Sequence, residues 1–273
     1  MRRTTASAVG RHALLIAGAA FVITPFLWMF TTSLQTRAET YANGSILPTS
    51  WHWENYAVAW QAAPFGQYYL NSLIMAVGIV CGHLVLDAFA AYAFARLRFP
   101  FKNAIFVVLL AALMVPTFVT IIPAYSLVAS FGWIDTYWGL IVPRLADVFG
   151  IILLRQFFAS IPGELEDAAR IDGCSRVGTF FRIMVPLSMP AFATLGIFSF
   201  LFAWNDFLWP LLVTNSDDLR TIQIGLSAFQ GRYGTSWNYL MAGTLTATVP
   251  SIIVFMFFQR ALVRGIAASG LKD

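Results

Sequence analysis

Long apolar stretches separated by short polar segments dominate this chain. Six stretches are long enough to cross about 30 Å of hydrocarbon as helices, which takes about 20 residues each. They fall at Ala13–Leu34, Leu70–Phe94, Ala104–Val128, Gly139–Phe158, Val185–Val213 and Tyr239–Phe258. The first and third carry no charged side chain. Barrel strands alternate over about ten residues, whereas these runs are continuous, so the pattern predicts helices. The fold class expected is an all-α polytopic membrane protein with six transmembrane helices. Composition points the same way. Of 273 residues 59% are hydrophobic and 11% charged, against about 25% charged in a soluble domain. The first stretch follows Arg2, Arg3 and Arg11, as a secretion signal would. It exceeds the usual signal core, no small-x-small cleavage site follows Leu34, and five more stretches come after it, so it is expected to anchor.

Charge placement predicts orientation. Of the 17 Lys and Arg, thirteen fall on one side of a six-span layout: Arg2, Arg3 and Arg11; Arg96, Arg98 and Lys102; Arg155, Arg170, Arg176 and Arg182; Arg260, Arg264 and Lys272. Arg37, Arg220 and Arg232 fall on the other, and Arg144 lies in the outer half of the fourth span. Basic residues stay cytoplasmic, so both termini are expected inside. That gives a cytoplasmic N-terminus over 1–12, a permease domain over 13–262 and a cytoplasmic tail over 263–273. The net charge of +4 is then a matter of topology and calls for no nucleic-acid partner. The external segments, Gln35–Tyr69, Ser130–Trp138 and Thr214–Asn238, carry Trp51, Trp53, Trp60, Trp133, Trp138 and Trp237. These serve either as an interfacial aromatic belt or as a landing surface for an external partner. Cys81 lies in a span and Cys174 in a polar loop, which argues against a bridge between them. His12, His52 and His83 lack metal-ligand spacing, so no metal site is expected.

Between the fourth and fifth stretches, residues 160–185 read as a cytoplasmic helix–turn–helix. Ser160 is the candidate N-cap, Pro162 sits in the first turn, and Glu164, Glu166 and Asp167 lie near the positive helix end. Ala168 and Ala169 are strong helix formers, and Gly173 supplies a left-handed stop. Val177, Phe180, Phe181 and Met184 follow at helical spacing, and Pro186 and Pro190 punctuate the entry to the fifth span. Small alanines beside a glycine suit close docking by another protein, with Glu166 available to a basic residue there; a plain surface hairpin is the alternative.

Glu166-Asp-Ala-Ala169, Asp172-Gly173, Ile183 and Pro186 resemble the signature loop of binding-protein-dependent ABC permeases. That family's pattern is Glu-Ala-Ala, a glycine four residues after the last alanine, and Ile-x-Leu-Pro ten residues beyond. Asp167 departs at the first alanine and Val185 at the leucine. The resemblance runs from about Pro25 to Lys272. Asn71-Ser-Leu73, Ala90-Ala-Tyr-Ala-Phe-Ala-Arg96, Gly150-Ile-Ile-Leu-Leu-Arg-Gln-Phe-Phe158, Trp204-Asn-Asp-Phe-Leu-Trp-Pro210 and Arg264-Gly265 are similar to the carbohydrate-uptake, maltose-type subgroup, in its shorter six-span subunit. It implies a type I ABC importer permease fold with a cytoplasmic coupling helix that seats Glu166, Asp167, Ala168, Ala169, Asp172 and Gly173 against an ATPase. It also implies a second homologous permease, two ATP-binding subunits that hold ATP and Mg, an extracytoplasmic solute-binding protein, and a sugar-like solute. The chain has no P-loop of its own: its two lysines, Lys102 and Lys272, are followed by Asn and Asp rather than Ser or Thr.

Charged side chains inside the membrane cost roughly 2.5–3.5 kcal/mol each on insertion scales, so those present need a reason. Asp87 has His83 one turn before it, which predicts a local bond or pairing with a neighbouring helix. Arg144 and Asp147 at i, i+3 predict either a same-face ion pair or a lining of the pathway. Trp204, Asn205 and Asp206 suit contact with sugar hydroxyls and ring faces. Gly78 and Gly82 form a small-xxx-small pattern for close packing. Pro116, Pro123, Pro143 and Pro250 are kink positions. Two rivals remain. One is an importer of glycerol phosphate or another polyol derivative; the other is an ion-coupled secondary transporter using Asp87 and Asp206. Against the second, the halves show no inverted repeat.

Overall fold

The computed structural model describes residues 2–42, 46–231 and 234–270, with side chains placed over 9–42, 46–231 and 234–259. The side chains of Arg2, Arg3, Arg260 and Arg264, and Arg232 and Lys272 entirely, lie outside the described residues. The described residues are mostly helical, with one two-residue hairpin among them, Gln230–Gly231 against Gly234–Thr235. Three helices are each long and apolar enough to cross a membrane, at Val9–Ser33, Phe65–Arg96 and Trp237–Gln259. Three bent pairs bring the number to six when each counts as one span.

Contacts divide the chain into two compact units. The first comprises Met1–Gly66 and Gly225–Val249. Its opening helix, Arg2–Ser33, exposes Leu14, Phe21 and Trp28, a surface that only lipid or another chain can cover. The helix ends in a knot of backbone bonds. Asn55 Nδ2 donates to the Ser33 and Gln35 carbonyls at 2.9 Å each, and the His52 N–H donates to Leu34 at 3.1 Å. Glu39 ties the following loop. The Thr49 hydroxyl, and the N–H groups of Thr36 and Thr49, donate to its carboxylate and hold its pKa at about 2. Farther along, Phe65 and Phe229 stack at 5.6 Å between centroids.

The second unit comprises Gln67–Ile224 and Pro250–Asp273. Its core gathers Ala88, Ala91 and Tyr92 from span two, Ile151, Leu154 and Phe158 from span four, and Phe180, Met184 and Leu195 from span five. Gly78 and Gly82 on span two explain how closely span four approaches. A Cβ at Gly78 would meet Ile141 at 3.0 Å, and one at Gly82 would meet Leu145 Cδ2 at 2.6 Å and its carbonyl oxygen at 2.7 Å. The small-xxx-small pattern is thus a packing seam within the chain. Gly82→Ala is expected to destabilise the protein by about 1–3 kcal/mol, since a backbone atom has to move. Gly196→Ala, inside a helix and with nothing within 4 Å of its Cβ, is expected to stabilise by up to about 1 kcal/mol. Thermal unfolding in detergent compares the two.

Spans three, four and five are broken rather than straight. Span three is Lys102–Ala112 plus Thr117–Ser130, bent by 101°. Pro116 stands at the break with an extended ψ of 134°, because proline cannot donate to the preceding turn and its ring disfavours helix before it. Span four, Tyr137–Arg144 plus Val148–Ser160, bends by 42° just after the Pro143 turn. Span five, Arg176–Leu187 plus Met189–Asn205, bends by 78° at Ser188. The sequence reading carries span five unbroken to Val213. The helix in fact stops at Asn205, and Leu208–Val213 is a separate piece. Pro123 and Pro250 remain inside continuous helices.

Candidate functional site

Two regions carry the expected functional residues. In the loop between spans four and five, the helix runs Glu164–Ile171. Ser160 is not its cap: the Ser160 hydroxyl bonds back to Phe157 at 2.8 Å and closes the preceding helix, and Gly163 stands at the N-cap position instead. The expected stop is present. Gly173 has φ +79°, its N–H donates to Arg170 at 3.1 Å, and the Cys174 N–H donates to Ala169 at 2.8 Å, the two bonds of a Schellman motif. The next helix starts at Arg176, capped by the Ser175 hydroxyl, which accepts from Gly178 N–H at 3.1 Å.

The faces of this loop differ sharply. Ala169 is buried, and Glu166 points inward to Arg96, with Oε1 2.9 Å from Nε. The line of approach is poor for a hydrogen bond, so the contact is one of charge. Arg96 Nη2 also donates to the carbonyls of Phe158, at 2.6 Å, and Ile161. The sequence reading offers Glu166 to a partner's basic residue; its carboxylate is instead engaged within the chain. Asp167, Ala168, Asp172 and Gly173 face outward, and Ile171 stands 87% exposed among them. That isoleucine was missed from sequence, where an apolar residue at the end of a short helix reads as core.

The second region lies where spans three and four break, against the later turns of span five. A cavity of about 470 Å³ is walled by His83, Thr117, Arg144, Asp147, Ser199 and the rings of Phe149, Phe198 and Phe202. Of the two readings of Arg144 and Asp147, the same-face ion pair does not form, and both residues stand on the cavity wall. Arg144 lies in a 3-10 turn and Asp147 is extended, at φ −135° and ψ 134°, so no helical face joins them. Arg144 Nη2 pairs with Asp206 Oδ2 at 3.2 Å, and its guanidinium lies 5.5 Å from the ring centres of Phe202 and Trp209. Asp206 Oδ1 accepts from the Trp209 N–H at 3.3 Å.

Of the two readings of Asp87, the local bond to His83 is absent and the contact is with the neighbouring span. His83 Nδ1 meets Ser199 Oγ at 2.7 Å and Nε2 meets the Arg144 carbonyl at 2.8 Å. Asp87, fully buried, accepts from the Asp147 N–H at 3.0 Å. Residues 83–87 form a π turn, which rotates the two side chains toward different neighbours. Trp204 is 1% exposed, stacked on Phe200 and edge-on to Tyr69. Asn205 donates to the Leu201 carbonyl at 2.8 Å. The rings that cover Arg144 were not read from sequence as its neighbours: Phe202 on the wall reads simply as an apolar position, and Trp209 enters only as part of the Trp204–Pro210 motif. Asn71 and Ser72, singled out earlier, pin the external segment: Asn71 Nδ2 donates to the carbonyls of Asp218 and Arg220, and Ser72 Oγ accepts from Ile222 N–H.

Comparison with known proteins places these features. Residues 87–268 match the family described as binding-protein-dependent transport system inner membrane component. The chain is 38% identical over 250 residues to a probable ABC transporter permease protein, YurM, of Bacillus subtilis (strain 168), covering 91% of this chain and 83% of that one. It is 35% identical over 260 residues to the diacetylchitobiose uptake system permease protein NgcG of Streptomyces coelicolor, covering 94% and 86%. It is also 35% identical over 268 residues to the sn-glycerol-3-phosphate transport system permease protein UgpE of Escherichia coli, covering 94% and 95%. Among solved structures, a chain of a bacterial ABC transporter involved in the import of the acidic polysaccharide alginate superposes with a TM-score of 0.83 at 20% identity, covering 96% of this chain and 98% of that one.

Proposed function

Because the chain belongs to the family of binding-protein-dependent transport system inner membrane components, we propose that it is the permease subunit of an ATP-driven importer moving a sugar or oligosaccharide across the bacterial cytoplasmic membrane by alternating access. The observation that carries this reading is the loop of 160–185. It presents Asp167, Ala168, Ile171 and Asp172 outward while Glu166 fastens it to the end of span two. A partner that grips the outer face moves the end of span two with it. Two ATP-binding subunits, holding ATP and Mg, supply that grip, on this chain and on a second homologous permease. Their closure pulls both loops and reorients the pathway.

The termini face the cytoplasm in this reading, with 1–12 and 263–273 outside the permease domain. An extracytoplasmic binding protein, as in the alginate transporter crystallised with its pentasaccharide-bound periplasmic protein, delivers the solute to the outer segments. The second reading, import of glycerol phosphate, is favoured by the UgpE relatives. Co-purification of an ATPase with the chain, followed by ATP hydrolysis screened against neutral sugars and glycerol phosphate, tests both. Stimulation by sugars supports the first reading and stimulation by glycerol phosphate alone the second. A complex without an ATPase would overturn both.

A further inference from the structure

Among the described residues Arg144 is the one arginine or lysine on the cavity wall, and its charge is already spent. Asp206 Oδ2 lies 3.2 Å from Nη2, and both side chains are largely buried, at 19% and 11% exposure. Aromatic rings lie 5.5 Å from the guanidinium carbon on two sides. Asp206 itself is fixed by the Trp209 N–H, and Trp209 is 1% exposed with its indole N–H on the Gly139 carbonyl at 3.1 Å. The pair therefore has little freedom to part. His83 adds no compensating cation by necessity. The Arg144 carbonyl only accepts, so Nε2 donates, and Nδ1 is satisfied by the Ser199 hydroxyl with the ring uncharged. Asp147, exposed on the wall, makes no ion pair among the described residues. Arginine, its partner aspartate and this second aspartate sum to a net negative cavity beside aromatic faces.

We infer that Asp206 sets the charge selectivity of this cavity: by neutralising Arg144 it lets the walls accept uncharged polyhydroxyl solutes and turn away phosphate-bearing ones. The inference rests on the reading that the cavity lies on the translocation pathway. A sugar hydroxyl donates to the Asp147 carboxylate and a sugar face lies on the phenylalanine rings. A phosphate meets that carboxylate and finds the arginine occupied. Removing the Asp206 charge frees the guanidinium, and the same cavity then draws anions.

The test uses the assembled importer in nanodiscs, with Cys81 and Cys174 replaced by serine and Thr117→Cys introduced on the cavity wall. Reaction rates of that thiol are measured with methanethiosulfonates carrying ethylsulfonate, ethylammonium or hydroxyethyl groups, with and without ATP. The parent is expected to react faster with the cation than the anion. Asp206→Asn should shift the anion-to-cation rate ratio upward by about tenfold, and Arg144→Gln should shift it downward by about tenfold, the scale of one unit charge at this range. Glycerol phosphate should protect the thiol in the Asp206→Asn protein and not in the parent, with glycerol as the neutral control. If Asp206→Asn fails to assemble, Asp206→Ser, which removes the same charge, takes its place. A ratio unmoved by either substitution overturns the role of Asp206 while leaving the pathway reading in place. A thiol that even the neutral reagent never reaches, in any nucleotide state, overturns the pathway reading and this inference with it.

Discussion

Gly173→Trp is expected to leave the importer hydrolysing ATP without moving solute, with uptake down tenfold or more, whereas Gly173→Asn should keep uptake within about threefold of the parent. The backbone at Gly173 sits at φ +79°. L-residues pay roughly 1–2 kcal/mol there, asparagine less than most because its side chain tolerates the left-handed region. No atom of the chain lies within 4 Å of a Cβ at this position. A Cβ therefore enters open space, and damage from tryptophan beyond that of the alanine variant is expected from the protein that packs on the loop. Gly173→Ala separates the two effects, because it carries the conformational cost without the bulk. Alanine that couples nearly as well as asparagine, beside tryptophan that does not, would locate the docking surface at the glycine. Unaltered uptake in Gly173→Trp would remove this loop from the coupling mechanism. ATP hydrolysis and solute uptake measured on the same proteoliposomes provide the comparison.

What the sequence reveals here depends on how local the physics is. The six spans are legible because about 20 apolar residues in a row have one stable solution in a membrane. The left-handed stop at Gly173 is legible because glycine at the end of an alanine-rich turn meets a conformational requirement of the turn itself. The breaks are half legible. Pro116 marks one, but Pro123 and Pro250 are the same residue type inside intact helices. Whether a proline bends or breaks a span depends on what replaces the missing hydrogen bond, and that is settled by neighbours far along the chain.

Charge pairing is the least legible. An i, i+3 spacing joins Arg144 and Asp147 only if the helix continues between them, and it does not. Once the turn opens, Arg144 takes Asp206, 62 residues away, and Asp147 stands as an extended residue just before the next helix, with no capping bond from its side chain. His83 and Asp87 part for a related reason, since the π turn that carries both changes the angle between them. In each case the sequence shows correctly that a buried charge needs a partner, and tertiary structure chooses which.

Arg96 illustrates the cost of that choice. It ends the Ala90–Arg96 run, where sequence reads it only as one of the cytoplasmic cations. In the fold it joins three groups: it meets the Glu166 carboxylate by charge and donates to the carbonyls of Phe158 and Ile161 at the close of span four. Both charged side chains are mostly shielded, at 16% and 12% exposure, so the contact is worth more than a surface pair and less than a fully buried one. Arg96→Ala is expected to cost about 3 kcal/mol, because it strands a carboxylate and two carbonyls together. Glu166→Gln should cost only about 1 kcal/mol, since the amide keeps the shape and the carbonyls keep their donor. Arg96→Lys should fall between, as a lysine restores the charge but not the planar fork that reaches separate acceptors. Unfolding temperatures in detergent give the order, and the amount of ATPase that co-purifies with each variant shows whether the same strut positions the docking face. If Glu166→Gln proved as damaging as Arg96→Ala to stability, the strut would depend on the carboxylate's charge and not on the fork. If neither substitution changed ATPase capture or stability, Glu166 would be free to serve the partner directly, and the route by which the loop moves span two would have to be sought elsewhere.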